Sequence, residues 1–223
     1  MERTQYLEYI PKPPLPLSFY QREDVVQIAR ELIGKMLCTN MHQQITGGII
    51  IETEAYKGVE DKACHAYNYR RTKRTAVMYK DGGITYVYLC YGLHHLINIV
   101  TYTNDFPHAV LIRAIFPILG IETMLKRRKK LFSYDRLKLT NGPGSVCQAL
   151  GIDLSHNAVS LDSSCIWITE SDIQINQMQI NQSPRIGVDY AGQDALLPWR
   201  FRLENPLDVL NMRSYIIVLN QIN

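Results

Sequence analysis

Two glutamates, a tyrosine and a distant arginine are the side chains of this 223-residue chain best placed to do chemistry. The stretch Ile49-Ile50-Ile51-Glu52-Thr53-Glu54-Ala55-Tyr56 begins as a β-branched run, the mark of a buried strand, and then turns acidic. Residues two apart on a strand share a face, so Glu52, Glu54 and Tyr56 point one way and Thr53 and Ala55 the other. An apolar surround disfavours a bare carboxylate, so an ionised Glu54 needs a donor or a cation nearby. Arg113, a lone charge within Ala109-Val110-Leu111-Ile112-Arg113-Ala114-Ile115, is the candidate cation. Tyr56, His65, Tyr86, Tyr88 and Tyr91 supply rings, and Asn98 sits on a strand beside them. The plainer alternatives are an edge strand leaving the core with a solvated polar end, and an Asn98–Arg113 pair that merely satisfies itself across a sheet.

Several chemistries are disfavoured. Cys64, His65, Cys90, His94 and His95 lack the paired spacing of a structural zinc site, so no metal is expected. No G-x-S-x-G elbow marks a serine nucleophile, and no P-loop marks phosphate transfer. Glu52 and Glu54 share one strand face and do not flank a substrate as paired glycosidase carboxylates do. One carboxylate among stacking rings and basic residues fits a purine swung out of a duplex, with Glu54 activating water against C1′. A tyrosine at a turn tip could fill the vacated space. On the residues alone this is one hypothesis of several.

The elements that must position these groups are legible in outline. With 46% apolar residues the chain is globular and long enough for a sizeable core, and no apolar run reaches the length of a membrane span. The N-terminus lacks the apolar centre of a signal peptide, and five cysteines without CxxC spacing read as reduced thiols in a cytosolic protein. The net charge is only +3, but Arg70-Arg71-Thr72-Lys73-Arg74 and Lys126-Arg127-Arg128-Lys129-Lys130 are compact basic clusters, with Arg136 and Lys138 close behind the second. Such clusters are either a phosphate track or a solvated face. Fourteen tyrosines against five phenylalanines favour rings that stack while their hydroxyls stay wet.

Residues 1–18 carry Pro11, Pro13, Pro14 and Pro16 and are expected to be an extended extension ahead of one domain spanning 19–223. An amphipathic helix is expected from Tyr20 to Leu37, and a hairpin from Met36–Thr39 and Gln44–Tyr56 around Asn40–Gln43, with a bulge or close approach at Gly47-Gly48. A long polar loop, 57–80, precedes the strand Ile84–Cys90, a reversal at Tyr91-Gly92-Leu93 and the returning strand His94–Thr101. Tyr91 thus belongs at or beside a turn tip. Helices are expected over Gly120–Lys130 and from Asn141-Gly142-Pro143-Gly144 to Leu150, and short strands in Val159–Thr169 and Arg185–Leu203. Glycines ahead of a helix start can form an anion-friendly collar or an ordinary turn.

The ordered set Glu52-Thr53-Glu54-Ala55-Tyr56, Asp61-x-Ala63-x-His65, Tyr86-Val87-Tyr88-x-x-Tyr91-Gly92-x-His94, Asn98, Asn141-Gly142-Pro143-Gly144, Gln148-Ala149-Leu150, Arg185-Ile186-Gly187 and Pro198-Trp199-Arg200-Phe201 closely resembles the alkyladenine (3-methyladenine) DNA glycosylases from about Tyr20 to Leu203. The resemblance implies a single α/β domain on a curved, mostly antiparallel sheet with flanking helices and a protruding, DNA-intercalating hairpin. It implies excision of alkylated or deaminated purines from duplex DNA, leaving an abasic site, without strand cleavage. Glu54 matches the general base and Arg113 the arginine that orients its water. Tyr56, His65 and Tyr88 match the residues that sandwich the base, and Asn98 the filter against guanine's exocyclic amine. Tyr91 matches the intercalating tyrosine, and Thr72, Arg74 and Met78 fall where the family touches DNA. No cofactor, no membrane and a monomer acting on damaged duplex DNA are expected, in the cytoplasm of a bacterium or the nucleus of a eukaryote. A non-catalytic DNA-binding protein with the same surface is the alternative. Gly82-Gly83 replaces the usual Pro-Gly, which should loosen that turn, and Ser145 stands where a lysine is common.

Overall fold

A computed structural model describes residues 12–131, 135–173 and 175–209. The expectations for residues 1–11 of the proline-rich segment, and for the domain beyond residue 209, lie outside the described residues. The chain builds α1 (Leu17–Tyr20), α2 (Val25–Glu31), β1 (Met36–Met41), β2 (Gln44–Tyr56), β3 (Thr85–Cys90), β4 (His94–Thr101), β5 (His108–Leu119), α3 (Ile121–Arg127), α4 (Arg136–Leu139), α5 (Pro143–Leu150), β6 (Ile166–Thr169), β7 (Ile180–Ser183), β8 (Arg200–Leu203) and α6 (Pro206–Val209). The strands form one curled antiparallel sheet in the order β3-β4-β5-β2-β1-β6, with β8 joining β2 to β7. This is the single α/β domain that the resemblance implied. Among the described residues no helix is long and apolar enough to cross a membrane.

β2 is the spine. Its first half pairs with β1 and its last turn of sequence, Glu52 to Glu54, pairs with β8, while β5 runs along its other edge. The β1–β2 turn is tighter than expected: only His42 and Gln43 separate the strands, both at positive φ, the mirror-image turn that suits strand twist. At Gly48 a Cβ would come within 2.5 Å of the Phe116 carbonyl, and the register slips between Gly47 and Gly48, as the glycine pair suggested. The face of β2 carrying Thr53 packs on α2, where the Thr53 hydroxyl donates to the Ala29 carbonyl at 2.8 Å.

Four expectations need correction. After a separate α1 that ends at Tyr20, the helix expected over Tyr20–Leu37 is α2, only seven residues long. The Asp24 side chain accepts from the Gln27 amide to start it, and Gly34 at φ +90° turns the chain into β1, so Leu37 is a strand residue. α3 likewise ends at Arg127. The segment 185–199 is not strand but is dominated by 3-10 turns over Asp189–Leu196, and only Arg200–Leu203 pairs into the sheet. Gly82-Gly83 is not loose: both amides donate to β4 and the residue after it, at Tyr102 and Val100, and a Cβ on Gly82 would meet two carbonyls at 2.8 Å.

Residues 13–15 lie along the sheet edge, with the Leu15 amide donating to the Ile168 carbonyl and the Thr169 hydroxyl donating to the Pro13 carbonyl. The long loop 57–80 is built of three short 3-10 turns, and its acidic anchor, Asp61, leads into the site.

Candidate active site

Glu54 has no solvent-exposed surface, so every unit of its charge must be met by protein donors. Three arrive. The Tyr56 hydroxyl donates to Oε2 at 2.8 Å, the Ile186 amide donates to Oε1 at 2.8 Å, and Arg113 Nη1 stands 3.3 Å from Oε1. Tyr56 comes from the same strand face, as strand parity requires. Arg113 reaches that face through a β-bulge: Glu52 faces Ala114 and Thr53 faces Ile112, leaving Arg113 as the extra residue on β5. Arg113 Nε donates to Glu52 Oε1 at 3.0 Å, and Arg200 Nη1 donates to the same oxygen at 3.2 Å. Glu52 therefore fixes the arginine that faces Glu54. Asn98 and Arg113 do not satisfy each other, because Asn98 Nδ2 donates to the Tyr86 carbonyl at 3.1 Å.

The Ile186 amide is held in turn by the residue before it. Arg185 and Asp61 form a bidentate ion pair with no exposed side-chain surface, its Nη2–Oδ1 arm at 2.8 Å. Arg185 also donates to the carbonyls of Ala55 and Asp194, and lies 4.9 Å and 5.1 Å from the ring centroids of Tyr56 and Trp199. Asp61 accepts from the Lys57 and Ala63 amides. This pair draws the end of β2, the loop after it and the segment ahead of β8 into one wall. Sequence reasoning quoted both residues but gave neither a role, since 124 positions separate them and no local pattern links their charges.

Tyr56, Arg113 and Ile186 form part of the wall of a cavity of about 460 Å³, and the Glu54 carboxylate lies behind them. His65, Met78, Tyr86, Tyr88, Asn98 and the outer residues Arg74 and Tyr91 also line it. Tyr86 and Tyr88, one face of β3, stack at 5.4 Å, and His65 meets Tyr88 edge-on at 4.8 Å. His65 Nδ1 and the Tyr86 hydroxyl share a hydrogen bond of 2.9 Å. Burial, then the cations Arg74 and Arg70, push the His65 ring down to about 4, so it is neutral at physiological pH. Burial and the Glu54 charge raise the Tyr56 hydroxyl well above its ordinary range, which keeps it a donor.

The remaining candidates spread around the mouth. Tyr91 is 92% exposed on the β3–β4 turn, at φ +49°. Arg74 is exposed and lies 5.8 Å from the Tyr88 ring centroid. Thr72 is exposed, with its hydroxyl bonded to Thr75, whereas Met78 is buried and lines the cavity. Tyr190, not singled out from the sequence, also lines the cavity and donates to the Ala63 carbonyl at 3.1 Å. The second basic cluster is partly structural: Arg127 donates to Thr46 and Ala149, and Arg128 to Leu139 and Gln148. Thr46 is eight residues from Glu54 along β2, about 27 Å of extended chain. At the start of α5 the Gly142 amide is spent on the Arg113 carbonyl, and Gly144 sits against His94. A larger groove, about 770 Å³, lies between Arg200, Arg202 and Leu207, but among the described residues no aromatic ring lines it. Among the described residues no three His, Cys, Asp or Glu side chains converge as a metal site would require.

A buried carboxylate supported by three donors thus stands behind an aromatic cavity. The profile of the family described as Methylpurine-DNA glycosylase (MPG) matches residues 18–206. The chain belongs to the methylpurine-DNA glycosylase family. A relative from Chlamydia felis, named "Putative 3-methyladenine DNA glycosylase", is 53% identical over 189 residues, covering 85% of this chain and 95% of that protein. Proteins of the same name from Bdellovibrio bacteriovorus and Clostridium perfringens are 43% and 40% identical, covering 87% and 84% of this chain and 97% and 94% of their own lengths. The stretches around Glu54, His65, Tyr88, Asn98 and Arg185, which carry the resemblance, meet at or just behind one cavity.

Two outcomes follow from the geometry. Asp61→Asn leaves a guanidinium buried without its partner and should lower stability by about 3–5 kcal/mol, with part of the loss recovered by adding Arg185→Gln. Urea denaturation of both variants measures this; an additive double mutant would contradict it. The His65 ring should titrate near 4 by NMR and move upward in Arg74→Ala. Because the unfolded histidine takes its proton near 6.5 and the folded one refuses it until about 4, the histidine contributes a loss of stability as pH falls through that window. A titration near 6.5 in the folded protein would contradict the burial argument.

Proposed function

We propose that this methylpurine-DNA glycosylase family member excises alkylated or deaminated purines from duplex DNA by hydrolysing the bond between base and sugar. The observation that carries the proposal is a fully buried glutamate whose three donors form the wall of an aromatic cavity. In the proposed mechanism the damaged nucleotide leaves the stack and its base enters between Tyr56, His65 and Tyr88. Stacking of about 1–3 kcal/mol per base offsets an unstacking cost that is lowest for damaged pairs. Tyr91 takes the vacated place in the helix, while Thr72, Arg74 and Met78 contact the DNA around the lesion.

Glu54 Oε2 accepts one hydrogen bond from Tyr56 and retains a lone pair, which takes a water proton once the entering nucleotide parts the wall of Tyr56, Arg113 and Ile186. Arg113 spends Nε and Nη1 on the two glutamates, which leaves Nη2 to orient that water. Water adds to C1′ as the bond to the base breaks; the departing base takes the electron pair and Glu54 takes the proton. No cofactor enters these steps. No lysine lines the cavity among the described residues, which supports a monofunctional enzyme that leaves the abasic strand intact. A neutral His65 and the π-faces of three tyrosines suit cationic methylated purines, which a charged imidazole would repel. Asn98, tethered to the Tyr86 carbonyl, is a rigid group against which the exocyclic amine of guanine would clash. The enzyme is proposed to act as a cytoplasmic monomer on damaged duplex DNA.

Single-turnover excision from duplexes carrying one hypoxanthine, one ethenoadenine or methylated bases, read by alkaline cleavage, tests this. Wild type should release base from at least one. Glu54→Gln should slow release by about 10²–10⁴-fold with DNA affinity kept. Equal rates in the two proteins, or no release from any substrate, would overturn the proposal.

A further inference from the structure

Asn68 and Tyr69 are consecutive residues in the left-handed region, at φ +53° and +59°. Asparagine tolerates that conformation, but a bulky aromatic residue there is strained. The strain does not serve packing. Tyr69 is 73% exposed, and its side chain makes no hydrogen bond or ring contact with the described residues. Tyr102, also at positive φ, differs because its ring stacks on His108 and tilts against Phe106. The chain around Tyr69 is braced on both sides. The Arg70 amide donates to Tyr67, the Thr75 hydroxyl donates to the Arg70 carbonyl, and Arg71 pairs with Asp105 at 3.1 Å. A braced loop that holds an unpartnered ring in solvent stores strain of the kind found at contact sites.

The position of the loop says what the ring meets. His65 and Arg74 both line the cavity, so the segment between them is a rim loop. Tyr69 is four residues from His65, within about 14 Å of chain. The neighbours Arg70, Arg71, Lys73 and Arg74 are all exposed and basic. Tyr91 shows the same combination of positive φ, high exposure and a place at the cavity mouth.

We propose that Tyr69 is a second aromatic DNA contact, packing its ring on the sugars and base edges of the duplex within about four nucleotides of the flipped one. The contact rests on the DNA-acting function proposed above. It separates two tasks within one loop: the arginines and lysine meet phosphates, and the tyrosine adds an uncharged grip that salt does not screen.

The test is affinity for a duplex containing an abasic-site analogue, by fluorescence anisotropy across a salt series, for wild type, Tyr69→Gly and Tyr69→Phe. Melting temperatures are measured beside it. Glycine relieves the strained backbone, so Tyr69→Gly should melt at the wild-type temperature or above it while binding about fivefold or more weakly with an unchanged salt slope. Tyr69→Phe should keep most of the affinity. Binding by Tyr69→Gly within twofold of wild type, or weaker binding accompanied by a lower melting temperature, would overturn the contact. If wild type excises and binds while Tyr69→Gly matches it, only the contact fails. If wild type does not bind DNA, the proposed function and the contact fall together.

Discussion

A carboxylate without solvent has to be surrounded by donors, and Glu54 imposes that requirement on the whole fold. Its donors come from three places in the chain: the next residue but one on β2, a bulge on β5, and the backbone amide of Ile186. None holds its position alone. Arg113 is held by Glu52, and Glu52 is held by Arg200 from β8. Ile186 follows Arg185, whose guanidinium is enclosed between two rings and Asp61. The two ion-pair systems tie β8 and the polar loop after Tyr56 to the end of β2.

The same arrangement shapes the cavity. Asp61 lies four residues before His65, so fixing the ion pair also fixes the histidine ring against Tyr88. Tyr56 serves twice, as a donor to Glu54 and as a ring in the wall. Charge is concentrated behind the wall and at the mouth, while the cavity itself is aromatic and its histidine neutral. Polar capacity aimed at one point of an otherwise apolar, stacking surface is what selective handling of a planar, electron-poor ring requires.

What could be read from the sequence was local. Strand parity put Glu52, Glu54 and Tyr56 on one face, and the glycine pair at 47–48 marked a register slip, because both depend on neighbours along one chain. The turn at Tyr91 was legible for the same reason. The Asp61–Arg185 pair was not, because nothing in the local pattern of either loop says where its charge is compensated. The bulge that aims Arg113 arises from the pairing of two strands about sixty residues apart, and a single-strand pattern is silent on it. α2 was overextended because apolar spacing continues smoothly from the helix into β1, and only Gly34 breaks it. The charges at 126–130 read as a phosphate track or a solvated face, and neither reading places Arg127 and Arg128, which turn inward to donate to carbonyls.

The most direct measurement is a crystal structure of Glu54→Gln bound to a duplex with a single hypoxanthine. The base should be found out of the helix, between Tyr56, His65 and Tyr88, with the side chain at position 54 one water away from C1′ and the Tyr91 ring in the gap. A base still stacked in the duplex over an empty cavity, or a flipped base whose C1′ is out of reach of position 54, would contradict a buried carboxylate acting through this wall.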